Sequence, residues 1–346
     1  MSSEKQPYLA LVKHLGSSQY TFICPSPETQ GRVVEKRKAS RKTEDAKTAE
    51  DFFGWNLSAS RETLTRIIPD SLNQSLRKAG VVKPVDNDSS NYRSTIRVSN
   101  FYTPNIPSFD TDAIPLYYIH SAFPASSDSV FFGPDTYLFV SFLGSSDRHL
   151  KQQPRSIVDV CCGSGAGAIH LARIYSDAKT YGLDLNPKAL GFGDVNAGLA
   201  GVDVEFHESD LYAHISNSSE TQDEGIDLIV SNPPYIASSP EDTDLPIYAD
   251  GGAQFGLDIS YRIIEEGAKL LSAQGVMMLY TGVAIPVAQP GFDPLLDRIR
   301  KVKDVELVEY TILHPDMWPE EIGKGAYAEV GRIQAIGAVL RKSKER

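Results

Sequence analysis

Cysteine is scarce: the 346 residues hold three, Cys24, Cys161 and Cys162, with the last two adjacent and no C-x-x-C spacing. Such a set supplies neither a disulfide framework nor a zinc cluster, so no metal is expected. No uninterrupted apolar run approaches the roughly 20 residues that a membrane span needs. The opening stretch "MSSEKQPYLALVKHLGSSQ" has no long apolar core ahead of a small-residue cleavage site. These absences point to an intracellular, cytoplasmic protein with no membrane attachment. Internal repeats and low complexity are missing too, although residues 85–91 and 216–225 are polar enough to read as loops. Nothing in the pattern sets an oligomeric state.

What is present is enough chain for two hydrophobic cores, and a charge that changes sign along it. Residues 1–100 carry sixteen Lys/Arg against eleven Asp/Glu, a balance of +5, whereas the remaining 246 carry eighteen against thirty-four, a balance of −16. The break suggests a smaller N-terminal domain, residues 1–125, for substrate recognition, and a second domain over residues 126–346. The basic stretch "RVVEKRKASRKTEDAK" is interleaved with acids and reads as a solvated helix face. In the first domain, "ETLTRIIPDSLNQSLRKAGVV" spaces its apolar residues as one or two amphipathic helices ending at Gly80. Two strand-like runs, "STIRVSNF" and "PLYYIHSAF", flank a Pro-rich connector, so a mainly helical domain with a hairpin and a wing-like loop is expected.

From about residue 130 strands and helices alternate. "SIVDV", "TYGLDL", "VEFH", "DLIVS" and "VMMLYTG" are strand-like. "GAIHLARIY", "PKALGFGDVNAGLA" and "ISYRIIEEGAKLLSAQG" are helix-like, the last closed by Gly275, and two late runs, "DVELVEYTIL" and "RIQAIGAVLRK", end the chain. The alternation predicts an α/β fold, a doubly wound, mostly parallel seven-stranded sheet whose final strand runs antiparallel.

Such sheets bind ligands beyond the carboxyl ends of their strands. The first strand runs into "VDVCCGSGAGAI", where Gly163 and Gly165 allow close backbone approach and the helix N-terminus offers free N–H groups. Asp184 ends the second strand, where a carboxylate can accept both hydroxyls of a ribose. Asp210, in "ESDLY", lies at the end of the third, where an acid can receive an adenine amine. The fourth strand stops at Asn232 in "NPPY". Asn232 precedes a proline, Pro233 and Pro234 have fixed φ and no N–H, and so the Asn232 side-chain oxygen and the Pro233 carbonyl stand as acceptors beside Tyr235, taken as an exposed ring. That set suits a planar NH2 group.

These segments, with "ADGGAQFGLDISYRII" and "FFGPDTYLF", resemble the class I S-adenosylmethionine-dependent methyltransferases, and within them the release-factor glutamine methyltransferases with their N-P-P-Y motif. The resemblance covers residues 130–340; Cys161 stands where that family's loop has its first glycine. It implies S-adenosylmethionine as cofactor, bound by Asp159, Gly163, Gly165, Asp184, Leu185, Asp210, Leu211 and Asn232. It also implies an acceptor bound by Asn232, Pro234 and Tyr235, with Asn232, Pro233 and Tyr235 catalytic, and N-methylation of a planar amide or amine, a protein glutamine foremost. A small-molecule nitrogen or the exocyclic amine of a nucleic acid would fit the same holder. The −16 charge of the second domain disfavours nucleic acid. A nucleotide-dependent oxidoreductase shares the glycine loop and Asp184 but has no use for "NPPY".

Overall fold

A computed structural model describes residues 5–41, 46–85, 90–101, 116–123, 125–216, 224–238 and 245–343. The expected wing-like connector (102–115), and most of the polar segments 85–91 and 216–225, lie outside the described residues. By compactness the chain forms two units, one of Met1–Ala125 with Val130–Asp135 and Gly198–Gly201, the other of Ser126–Ser129, Thr136–Ala197 and Val202–Arg346.

In the first unit helices α1 (Gln6–Ser17), α2 (Pro27–Arg41), α3 (Arg61–Ile67) and α4 (Asp70–Lys78) accompany five short strands. Ser60 caps α3 by accepting from the Thr63 N–H, and Pro69 separates α3 from α4, which is why one apolar pattern became two helices. Ile96–Phe101 pairs antiparallel with Leu116–Ser121, as the two strand-like runs predict.

The second unit is built on one seven-stranded sheet. Counted in chain order, these strands are βA (Ser156–Val160), βB (Lys179–Asp184), βC (Glu205–Glu208), βD (Ile226–Ser231), βE (Leu271–Pro286), βF (Val305–His314) and βG (Val330–Lys342). Their order across the sheet is C-B-A-D-E-G-F. The first five run parallel, and βG is antiparallel to both βE and βF. The fold is therefore the doubly wound, mostly parallel α/β arrangement. Its core sets Val158, Val160, Leu183, Ile229, Met277 and Leu279 of the strands against Ile263, Ile264 and Ala268 of the helix Asp258–Leu270.

One boundary differs from expectation. The helix expected to close at Gly275 ends at Leu270, and Leu271 is already extended. Pairing with βD starts at Leu271 opposite Ile226 and resumes at Val276 opposite Leu228, so residues 272–275 form an irregularity. A Cβ on Gly275 would lie 2.6 Å from the Ile226 carbonyl oxygen. That glycine serves close strand approach rather than a helix stop.

The chain order reverses between βA and βD, and this topological switch point is where doubly wound sheets bind ligands.

Candidate active site

At the switch point Val160 lies opposite Ser231, and the Ser231 hydroxyl donates to the Val160 carbonyl at 2.6 Å. The ends of βA and βD are thereby tied together. The glycine loop and Asn232 thus leave the sheet side by side, with Asp184 on the neighbouring strand and Asp210 just beyond the next.

The loop after βA turns through three residues of positive φ: Cys161 (59°), Gly163 (53°) and Gly165 (82°). The Cys162 N–H donates to the Leu183 carbonyl at 3.0 Å and the Gly165 N–H to the Cys162 carbonyl at 2.8 Å, after which Gly165 opens the helix Ala166–Ile174. A Cβ on Gly165 would sit 3.0 Å from the Phe206 ring and 3.2 Å from the Gly193 Cα, whereas one on Gly163 would meet nothing within 4 Å. Gly163 therefore borders open space. Cys161 occupies a left-handed conformation that glycine adopts freely, at a cost of roughly 1–2 kcal/mol.

Two acids fasten this loop. Asp184 accepts the Gly163 N–H at 2.8 Å on Oδ2 and the Asn186 N–H at 2.9 Å on Oδ1, leaving each oxygen a further lone pair. Burial raises its pKa, against which the N–H donors work. Asp159 lies within βA, 1% exposed. Its Oδ2 accepts the Ala168 N–H at 2.8 Å, while Oδ1 has no hydrogen-bond partner among the described residues. Burial pushes the Asp159 carboxyl up to about 8; the Ala168 N–H opposes this and the Asp184 charge adds to it.

The sign of the resulting pH dependence is fixed. An unfolded aspartate titrates near 3.9, so between there and about 8 the native state holds a proton that the unfolded chain has released. This contribution to stability is complete at low pH and is lost as pH rises through the folded value. Asp159→Asn keeps the acceptor for Ala168 and mimics the neutral acid. Its melting temperature should gain on the wild type steadily from about pH 4 to about pH 8; a constant difference across that range would show that Asp159 is not protonated.

The remaining expected donor-site residues are more open. Asp210 lies two residues past the end of βC and accepts from Arg262 Nη1 at 3.1 Å, with its side chain 61% exposed. Leu185 is 55% exposed and Leu211 is buried. Leu211 has φ 48°, a strained conformation held partly by the Ser209 hydroxyl, which donates to its carbonyl at 2.7 Å.

On the βD side, Asn232 is half-buried, and its side-chain amide has no hydrogen-bond partner among the described residues. Pro233 is buried and Pro234 half-buried. Tyr235 departs from the expectation of an exposed ring: it is 7% exposed. Its ring packs on Gly282 of βE, where a Cβ would lie 2.3 Å from it, and its hydroxyl accepts the Trp318 indole N–H at 2.8 Å. Behind it, the Ile236 N–H donates to the Ala249 carbonyl at 2.9 Å. Gly256, at φ 80°, passes so close that a Cβ would fall 2.1 Å from the Tyr235 carbonyl oxygen. The glycines of "ADGGAQFG" thus serve backbone approach to the N-P-P-Y turn. Trp318 and Tyr327 were not foreseen; both lie far along the chain, and the only hint was two aromatics in an otherwise polar segment between the last strands.

No group of three or more His, Cys, Asp or Glu among the described residues could hold a metal ion. No described helix is long and apolar enough to cross a membrane.

A seven-stranded sheet in this order, with a glycine loop and a ribose-type acid at its switch point, defines a class I methyltransferase fold, a class whose methyl donor is S-adenosylmethionine. Residues 136–306 match the family described as the methyltransferase small domain. The release factor glutamine methyltransferase of Deinococcus radiodurans is 36% identical over 137 residues, 37% of this chain and 45% of that protein. The ribosomal protein uL3 glutamine methyltransferase of Neisseria gonorrhoeae is 32% identical over 133 residues, 36% of this chain and 42% of that protein. The matched stretch spans less than half the length of either relative. Among solved structures, TrmN from Thermus thermophilus overlaps with a TM-score of 0.38 at 20% identity, covering 60% of this chain and 49% of that one. The fold assignment rests on the strand order.

Proposed function

We propose that the chain is an S-adenosylmethionine-dependent N-methyltransferase acting on the side-chain amide of a protein glutamine. The observation that carries this reading is the Asn232 amide, without a hydrogen-bond partner among the described residues, at the end of βD, which Ser231 ties to the strand that leads into the glycine loop. The glutamine acceptors in the names of the two relatives support it.

The residues present fit the donor. Gly163 borders open space, the Asp184 oxygens retain lone pairs for ribose hydroxyls, and Asp159 Oδ1 is a buried polar atom without a partner among the described residues. Asp159, Gly163, Gly165, Asp184, Leu185, Asp210 and Leu211 would hold it. When bound, S-adenosylmethionine supplies a sulfonium methyl group. The chain's own task is the acceptor. An amide nitrogen is a poor nucleophile because its lone pair is delocalised, the same resonance that gives a peptide bond a rotation barrier of about 18–20 kcal/mol. With Asn232 Oδ1 and the Pro233 carbonyl each accepting one N–H, the amide plane is fixed, and the nitrogen lone pair, which lies perpendicular to that plane, is held toward one face of it. Alignment of this kind is worth up to about 7–11 kcal/mol of barrier. Tyr235, packed on Gly282, and Pro234, with its fixed φ, would stiffen the turn that presents these acceptors. No general base is required, because the N–H becomes acidic as the new C–N bond forms. The same reading gives residues 1–125 the choice of acceptor, in keeping with the charge break and with a family match that begins only at residue 136.

Incubation of the protein with methyl-labelled S-adenosylmethionine and a cell extract, followed by separation of protein, nucleic-acid and small-molecule fractions, should place the label in protein. Label confined to either other fraction would overturn the proposed acceptor.

A further inference from the structure

A single segment, residues 315–329, joins βF to βG and sends two aromatic side chains to the back of the N-P-P-Y turn. The Trp318 indole N–H donates to the Tyr235 hydroxyl at 2.8 Å. The Tyr327 hydroxyl accepts the Ala237 N–H at 2.7 Å and donates to the Tyr235 carbonyl at 3.4 Å. Tyr235 is thereby gripped at the tip of its ring and along its backbone, while Gly282 presses on the ring's flank.

Trp318 has φ 55°, a conformation that bulky residues rarely adopt. Its neighbours hold it there: the Met317 N–H donates to the Ile333 carbonyl at 2.6 Å, the Ile333 N–H donates to Asp316 Oδ1 at 3.4 Å, and Pro319 starts a tight helical turn, Pro319–Glu321. Phe255, packed against the same apolar cluster as Trp318, is also left-handed, with φ 60°. Strained, over-determined backbone of this kind gathers where geometry, rather than stability alone, selects the residue. An aromatic ring on its own would satisfy the packing. What only tryptophan adds here is the N–H aimed at the hydroxyl three residues after Asn232.

We propose that Trp318 is a positioning residue for methyl transfer. Its N–H fixes the plane of Tyr235, and through the proline-stiffened turn this sets the orientation of Asn232 and of the acceptor nitrogen. The inference rests on the proposed function. It is tested with Trp318→Phe, which keeps a ring and the same backbone penalty while removing the donor, and with Tyr235→Phe, which removes the acceptor of the same hydrogen bond. The readout is single-turnover transfer from saturating labelled S-adenosylmethionine into the extract fraction that the wild type labels.

Each variant should slow transfer on the order of 10- to 100-fold, the scale of a small misalignment of reacting groups. Donor affinity should stay at the wild-type value, melting temperature should fall by no more than the few degrees that one lost hydrogen bond costs, and the double variant should be no slower than the slower single one, since both delete one interaction. If Trp318→Phe does not fold, Tyr235→Phe carries the test. Wild-type rates for these variants, or losses that add in the double variant, alongside a collapsed Asn232→Ala, overturn the positioning role and leave the proposed function standing. A wild-type rate for Asn232→Ala, or no labelled fraction at all, overturns the proposed function and the positioning role with it.

Discussion

Asn232→Ala should fold, bind S-adenosylmethionine as the wild type does, and transfer the methyl group about 100 to 1,000 times more slowly, the usual consequence of removing one preorganised hydrogen-bonding group at a reacting centre. The expectation follows from where the side chain lies. Asn232 is half-buried, and its amide makes no hydrogen bond among the described residues, so its deletion strands no partner in the fold. The backbone there is kept by Pro233 and Pro234 and by the Ser231 hydroxyl on the Val160 carbonyl. Asn232→Asp should fall between the two, because it retains an accepting oxygen while adding a negative charge and losing the amide donor. Single-turnover transfer at saturating donor, on variants shown by melting to be folded, separates the outcomes. A wild-type rate for Asn232→Ala would reduce the turn to a stiff end of a strand.

Asp184→Ala should act on the donor instead. Loss of a charge-assisted acceptor for ribose hydroxyls is worth about 1.5–3 kcal/mol, a weakening of S-adenosylmethionine binding by roughly 10- to 150-fold. The structure adds a second route to the same loss, since Asp184 also holds the Gly163 N–H at 2.8 Å and the Asn186 N–H at 2.9 Å. Removing the carboxylate frees the turn of the glycine loop as well as the ribose site. Asp184→Asn should recover part of the affinity because one oxygen still accepts. Calorimetry decides, with S-adenosylmethionine, its demethylated product and NADH as ligands. Undiminished affinity of Asp184→Ala for the first two, or a wild type that binds only NADH, would refute the assignment.

The repeating elements of the second unit were legible because each is a local pattern. The first four strand ends could be read in chain order because each ends in a residue type with its own chemistry: Gly163 and Gly165, Asp184, Asp210 and Asn232. Their placement side by side comes from the sheet order, which local pattern does not contain. Gly275 reads as a helix stop because a glycine needed for close approach to βD has the same sequence signature as a helix-ending one. The burial of Tyr235 is not legible in its own segment because it depends on Gly282 and on Trp318, 83 residues away. Nor could the strain at Cys161, Leu211 and Trp318 be anticipated, since none is a residue type that ordinarily marks positive φ. The upward shift of the Asp159 carboxyl likewise arises from burial and from the Asp184 charge on the neighbouring strand, neither of them a property of the residue's neighbours in sequence.

The claim at the centre of this account is that Asn232 presents an amide nitrogen for methylation, and the position of the transferred methyl group tests it most directly. Protein labelled by the wild type, and labelled far more slowly by Asn232→Ala, should be digested and sequenced by tandem mass spectrometry. The account predicts the methyl group on the side-chain nitrogen of a glutamine. A methyl group on a lysine, a carboxylate or a backbone terminus, or equal labelling by Asn232→Ala, would contradict it.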